Sequence, residues 1–460
     1  MFILLLVISG SLTREFGFVG SSGDDWSLEL VTYPMSIILG VGGASAFLFS
    51  RWQVRLGVRA SMLAGAFFFG SGLMLSSVGV AQHSLPLLYA GNVLAGLGYG
   101  AAYTPPVQAV ISWFPDRKGL GTGLVIGAFG SGAIFFTPLV NSLKYKLSSL
   151  PAYLGPTAEI TLENGRQFAE VCGEVREVVF ATTTDLASLP YQDLLAGYYV
   201  VGSGNTGVSY TLAVMGAGYF SSIFLSSLLM KCPPPGHLPP GYLPPSTSRE
   251  NVPVENLLRT PQFWLVWSQA VLLASGGMSL LSVGQPMVET IFRPLTQNIM
   301  GEVMPAFVAL GNIALGGGFL MAIAAGNLLG RIGWASLSDK IGSRMTFTIM
   351  SLSAIPLYAV TPFLICQAVT NPSSPLAPLY FLAFSATSVA CVSIMGGLFS
   401  SLPPYETELY GSKYVGPIHG KFLLFGTAAT FLGPGLMQYL HRADEARAIQ
   451  GGVPSHFLLL

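Results

Sequence analysis

Residues 326–344 read GNLLGRIGWASLSDKIGSR, an apolar helix that carries one arginine and passes directly into a short cluster of charges. A junction of this kind marks the cytoplasmic end of a transmembrane helix, where cations gather at the inner membrane face. The position demands a tight turn, met by Gly342, a carboxylate able to cap or pair, met by Asp339, and basic groups at the face, met by Lys340 and Arg344. Earlier in the chain Arg55-Leu56-Gly57-Val58-Arg59 stands between two apolar stretches in the same way. It reads as a degenerate first copy, with Val54 where an acid would be expected. Two such turns, one in each half, imply an internal repeat.

Composition supports a polytopic membrane protein. Charged residues make up 9% of the 460 and hydrophobic residues 51%, against roughly a quarter charged in soluble domains, and mean hydropathy is +0.60. The net charge of zero and the lack of a long basic run exclude a nucleic-acid partner. Cys172, Cys232, Cys366 and Cys391 are scattered without C-x-x-C or Cys/His spacing, so neither a zinc site nor a disulfide framework is expected, and no cofactor is implied.

Apolar segments long enough to cross roughly 30 Å of hydrocarbon run at 28–49, 60–81, 85–111, 120–143 and 208–230, then at 263–283, 305–332, 345–365, 376–400 and 422–440. Residues 1–10 are apolar but about half the required length, and read as the back end of a first helix. The tail from His441 is polar, so a twelfth helix reads as missing. Arg51, Arg55, Arg59, Arg117, Lys118, Lys231, Arg249, Arg259, Lys340 and Arg344 all fall on one side of this arrangement, which makes that side cytoplasmic. The opposite side then receives an acidic insert, 144–196. Within it 159–169 is expected to form a short hairpin on the Asn164-Gly165 turn, as a solvated lid or decoration. A proline-rich stretch, 231–260, is expected to link an N-terminal bundle (1–230) to a C-terminal one (261–460) in extended conformation.

The 326–344 block resembles the G-x-x-x-D-R-x-G-R/K signature of major facilitator transporters, with Ala335 and Ser343 departing from it. Together with Trp113-Phe-Pro-Asp-Arg-Lys-Gly119, Thr260-Pro-Gln-Phe-Trp264 and Glu408-Leu-Tyr-Gly411, it makes most of the chain, from about Trp26 to Pro434, similar to the oxalate/formate antiporter family and related monocarboxylate carriers. The resemblance implies an all-α major facilitator fold of two pseudo-symmetric bundles and alternating access. It also implies small organic anions (mono- or dicarboxylates of the formate, oxalate, lactate or pyruvate class) as substrate, with a proton or counter-anion as second passenger. The chain is expected to work as a monomer in a lipid bilayer, the plasma membrane favoured.

Arg331 precedes Asp339 by eight residues, which at roughly 1.5 Å per residue lifts it about 12 Å from the turn and into hydrocarbon. A charge there costs at least about 2.5 kcal/mol on the mildest scale, so it needs a partner. In the resembling family the arginine of the N-x-x-G-R motif binds substrate carboxylate, and a guanidinium fork suits that geometry; bracing of the helix through a carbonyl is the other use of such a residue. The family's lysine early in the eleventh helix is replaced here by Pro417, leaving Lys421 or His419 as the second cation. Tyr103, Tyr219 and Gln285 stand at depths where a cavity would be lined, and Glu289 near an outer helix end. Gly96, Gly98, Gly100, the pair Gly123 and Gly127, and the pair Gly326 and Gly330 read as helix-packing positions.

No span offers paired carboxylates, H-E-x-x-H or a serine with a base, and His83, His237, His441 and His456 fall in loops or tails, so the chain is not read as an enzyme. No selectivity-filter sequence is present. A non-transporting receptor or an inactive truncated paralogue stays open, because the first turn lacks its acid and both ends read as cut short.

Overall fold

The computed structural model describes residues 8–451 except 21, 131, 164, 187–190, 192–193, 235–236, 243–250, 292–314, 371–373 and 375. Apolar composition produces helices over most of the expected spans, with 120–143 divided between two helices and 305–314 outside the described residues. These are α1 (Leu28–Leu48), α2 (Ser50–Ala81), α3 (Leu85–Trp113), α4 (Lys118–Gly130) and α5 (Gly132–Leu147), then α6 (Val208–Leu229), α7 (Pro261–Ile291), α8 (Leu315–Ile341) and α9 (Ser343–Thr370), then α10 (Ala377–Tyr410), α11 (Val415–Phe422) and α12 (Leu424–Gly451). Among the described residues, Arg55–Ala81, Val208–Leu229, Pro261–Ser282, Phe319–Ile341, Ser343–Gln367 and Leu379–Tyr410 are long and apolar enough to cross a bilayer. The protein is an integral multi-pass membrane protein.

The two turns singled out in the sequence use the same device. Gly342 takes φ 85° between α8 and α9, and Gly57 takes φ 76° as a break near the start of α2. Residues with a Cβ rarely adopt this left-handed region, which explains glycine at the two sites. Proline is tolerated inside α3 (Pro105, Pro106) and α10 (Pro403, Pro404), because neighbouring helices can satisfy the freed carbonyls. As a result α10 runs ten residues past the end of its expected span.

The packing separates into two units, one of residues 1–42, 62–99 and 135–226 and one of 43–61, 100–134 and 227–460. In the first, Ile38, Phe69, Leu73, Leu88, Ala95, Leu212 and Met215 form the buried core. Gly98 lets α3 lie against the α2 backbone, where an added Cβ would stand 2.7 Å from Gly65 O. In the second, the buried core is built largely from α7, α8, α9, α10 and α11. The linker is tied into this unit where it is described. Trp113 Nε1 donates to Lys231 O at 2.8 Å, and Val252 N donates to Tyr410 O at 3.0 Å. Part of the proline-rich stretch lies outside the described residues.

Between α5 and α6 the insert forms more than the expected hairpin. Its strands are β1 (Tyr153–Gly155), β2 (Ile160–Glu163), β3 (Arg166–Val171), β4 (Glu174–Ala181) and β5 (Gly197–Val200). They make one antiparallel sheet in the order β1-β5-β4-β3-β2. The hairpin is its β2–β3 edge, with Glu163 opposite Arg166 and Gly165 at φ 78°; Asn164 lies outside the described residues. The sheet does more than decorate, because it holds the chain that precedes α1. Arg166 Nη2 reaches Asp24 Oδ1 at 3.0 Å, and Phe18 and Val19 share a core with Ala181 and Tyr199. Asp25 accepts N–H groups from Phe16 (2.8 Å), Gly17 (3.1 Å) and Ser22 (2.9 Å).

Beside this cluster the partly buried Glu15 accepts a hydrogen bond from Thr206. Burial pushes its carboxyl up to about 7, and the nearby Asp25 adds to the rise. A carboxyl raised in the folded state favours folding most below its ordinary value, and that contribution disappears as pH climbs through the raised one. The attachment of the 15–25 segment should therefore weaken between about pH 4.5 and about 7, by on the order of 1–2 kcal/mol once solvent screening is allowed for. Thermal unfolding of the detergent-solubilised protein across that range measures it. Glu15→Gln should flatten the dependence, and an unchanged pH profile in that variant would refute the assignment.

Candidate functional site

Asn327, Arg331, Ala335 and Asp339 recur every four residues along α8 and so share one face. That face lies against α4, whose Gly119, Gly123 and Gly127 also recur every four. A Cβ added to Gly123 would stand 2.8 Å from Arg331 O, and one on Gly119 would press on Ala335 O and lie 2.8 Å from Asp339 Oδ1. The bare backbone of α4 is what lets the helices meet so closely. A third helix is bonded to both. Thr122 Oγ1 donates to Ser400 O at 2.9 Å, and Ser400 Oγ donates to Arg331 O at 2.7 Å.

At the lower end of the contact Asp339 caps α4. Gly119 N donates to Oδ1 at 2.7 Å and Leu120 N donates to Oδ2 at 2.8 Å, so two of the orphan donors of a helix N-terminus are met by a carboxylate from another helix. Lys340 and Arg344 are exposed beside it. Ser343 Oγ donates to Glu408 Oε1 at 2.7 Å, tying the turn to α10. In the first copy Arg55, Gly57 and Arg59 are exposed, and Arg59 Nε donates to Met230 O at 2.9 Å.

Two turns higher, Arg331 is 6% exposed. Nε donates to Asn327 Oδ1 at 2.7 Å and Nη1 donates to Ile126 O at 2.8 Å, while the guanidinium lies 5.5 Å from the centroid of Phe399. The carbonyl brace anticipated as the structural use of this arginine is thus present. These two contacts orient the fork.

The remaining candidates divide. His419, on the wholly buried helix α11, places Nδ1 3.0 Å from Glu406 Oε1, and the Tyr103 ring stacks on it at 6.0 Å and 24°. Tyr103 also lies within electrostatic reach of Arg331 and Glu406, so Arg331, Tyr103 and His419 belong to one neighbourhood. Lys421 is buried with Nζ 4.5 Å from the centroid of Phe47. α11 fits there because Gly420 abuts the α1 backbone, where a Cβ would stand 2.6 Å from Ala46 O. Pro417 sits in the first turn of α11, a place where a missing N–H costs nothing. Tyr219 packs on the rings of Phe69 and Phe136 in the other unit. The side chains of Gln285 and Glu289 lie outside the described residues. Glu406 escaped the sequence reading because Pro403-Pro404 reads as the end of a helix, and a glutamate beyond it reads as a loop residue.

Residues 1–150 match the family model described as Major Facilitator Superfamily. The chain is 23% identical over 433 residues to the oxalate:formate antiporter of Oxalobacter formigenes, a match covering 90% of this chain and 80% of that one. It is 26% identical over 382 residues to apicoplast pyruvate carrier 1 of Toxoplasma gondii, covering 79% of this chain and spanning only 62% of the carrier's length. In structure it resembles the major facilitator superfamily transporter FucP in the outward conformation, with a TM-score of 0.54 and 12% identity over 100% of this chain and 93% of that one.

The geometry gives the Asp339 contact a measurable role. Asp339→Asn keeps the shape but supplies one acceptor oxygen and no charge, so the cap should weaken by about 1 kcal/mol. A crosslink between cysteines placed at positions 118 and 340 should then form less efficiently, and an unchanged yield would show the cap to be idle.

Proposed function

We propose that this chain, built on the major facilitator fold, is a secondary active transporter of small organic anions, mono- or dicarboxylates of the formate, oxalate, lactate or pyruvate class. The observation that carries the reading is Arg331: a guanidinium buried in the middle of an apolar helix and oriented by Asn327 and the Ile126 carbonyl presents a planar fork that suits a carboxylate. The names of the two relatives, an oxalate:formate antiporter and a pyruvate carrier, support the same chemical class. Tyr103 borders the anion, and Gln285 is assigned to the same cavity. His419 is bonded to Glu406, and Lys421 is assigned to a second carboxylate.

In this reading two bundles, 1–230 and 261–460, joined by 231–260 and crossing the membrane about ten times, carry out alternating access. The turns at Arg55-Gly57-Arg59 and Asp339-Lys340-Gly342-Arg344 bias the exchange between conformations, facing the cytoplasm with the linker, while 144–196 lies outside. A tag in the insert should be labelled on intact cells and a tag near Pro239 only after permeabilisation; the reverse pattern would overturn this orientation.

Counterflow of labelled formate, oxalate, pyruvate and lactate in proteoliposomes tests the function, since a receptor binds without flux. Arg331→Ala should abolish carboxylate binding while the protein still inserts, and Arg331→Lys should restore only weak, less selective binding because the planar fork is lost. Lys421→Gln should impair oxalate more than formate. Parental rates in Arg331→Ala would make the arginine structural and remove the anion assignment.

A further inference from the structure

The Glu406–His419 pair is the feature of the second unit that neither packing nor carboxylate recognition uses. Glu406 and His419 side chains are 1% and 0% exposed, and the contact between them is a single one, Nδ1 to Oε1 at 3.0 Å. The two remaining polar atoms, Glu406 Oε2 and His419 Nε2, are buried with no hydrogen-bond partner among the described residues. On the same two helices Leu402, Ile418 and Phe422 belong to the buried apolar core. Each unmade bond carries an uncompensated desolvation cost, and a buried ion pair is commonly no more stabilising than apolar residues of the same shape. Stability alone does not account for the pair.

A carboxylate and an imidazole sharing one proton carry no net charge, whichever atom holds it. Removing that proton leaves one negative charge on the pair. In a low-dielectric surrounding the change is felt by every nearby ion. Among the described residues, the titratable groups next to the pair are Tyr103 from α3, which lies within electrostatic reach of both Glu406 and Arg331 of α8, and Tyr410 on α10 itself. Lys421 lies two residues along α11, directed onto Phe47. With the pair deprotonated, its negative charge offsets the arginine and competes with any incoming anion. Adding the proton removes that competitor, so proton and carboxylate favour one another's binding, and the sign holds whatever Lys421 contributes.

We infer that Glu406 and His419 form a proton-binding site, and that through it the carrier moves one proton together with each carboxylate charge. The proton is taken up at Nε2 or Oε2, shared across the Nδ1–Oε1 contact, and given back to water from the same two atoms after the conformational change. The coupling rests on the carboxylate reading above; the proton site itself does not.

Two measurements on the full chain separate these. Infrared difference spectra of the purified protein between acid and alkaline buffer should contain a carboxylic C=O band that titrates, disappears in Glu406→Gln and shifts in His419→Asn. Absence of such a band from the unmodified protein, or its survival in Glu406→Gln, overturns the site without depending on how a variant folds. In proteoliposomes given external labelled pyruvate, an outside-acid gradient of one pH unit should drive about tenfold accumulation that a protonophore abolishes. Glu406→Gln should keep pyruvate–pyruvate exchange within about threefold of parental while accumulation falls to none. Accumulation that persists in the variant, or parental exchange indifferent to the gradient, overturns the coupling. A band that titrates as expected in a protein exchanging neither pyruvate nor oxalate would instead retire the carboxylate reading and leave the proton site standing.

Discussion

Backbone meeting backbone between α4 and α8 is the constraint on which the described site depends. In a bilayer lipid tails are as apolar as leucine, so helices associate through close packing and interhelical hydrogen bonds. Gly119, Gly123 and Gly127 remove the side chains that would hold the helices apart. Only at that separation can Ile126 O reach the Arg331 guanidinium and the Gly119 and Leu120 amides reach Asp339. One seam therefore sets both the orientation of a buried charge and the capping of a helix. A side chain at Gly123 would disturb the two together.

The same solution recurs where α11 meets α1. Gly420 abuts Ala46 O, and Gly43 faces Thr427. The two left-handed glycines, Gly57 and Gly342, sit at equivalent turns. What the copies do not share is the acid. The Asp339 carboxylate has no counterpart at position 54, where the sequence has valine, so the first turn keeps its backbone shape without a charged cap. Shape and charge in this motif are separable. Glycine answers to sterics, whereas the acid answers to which helix end lies opposite.

Hydropathy and turn residues were sufficient to read most of the helices and the glycine turns, because each depends on local composition. The Asp339 cap was legible as a type of interaction, though its partners were not: Gly119 and Leu120 lie more than two hundred positions away, and nothing local encodes that pairing. Glu406 was hidden for a different reason. Proline pairs end helices in water, but packed against neighbours in a membrane they do not, so a fully buried residue looked like part of a loop. In the insert, Asn164-Gly165 announced one hairpin. The β1–β5 pairing closes over more than forty residues, and short strands of mixed polarity carry too little period to reveal it.

The sheet also has a narrow base. Ser149 and Asn205 exchange both backbone hydrogen bonds, each at 3.0 Å, so the chain leaves the bundle and returns to it at a single bridged pair. Seen from the helices, α5 and α6 are joined by something no wider than a tight turn. Closing a longer loop costs only slowly more entropy, and here the sheet's own pairing closes it. Insertions at this junction could lengthen or shrink over evolutionary time without parting α5 from α6, and this corner of the molecule is suited to acquiring new architecture.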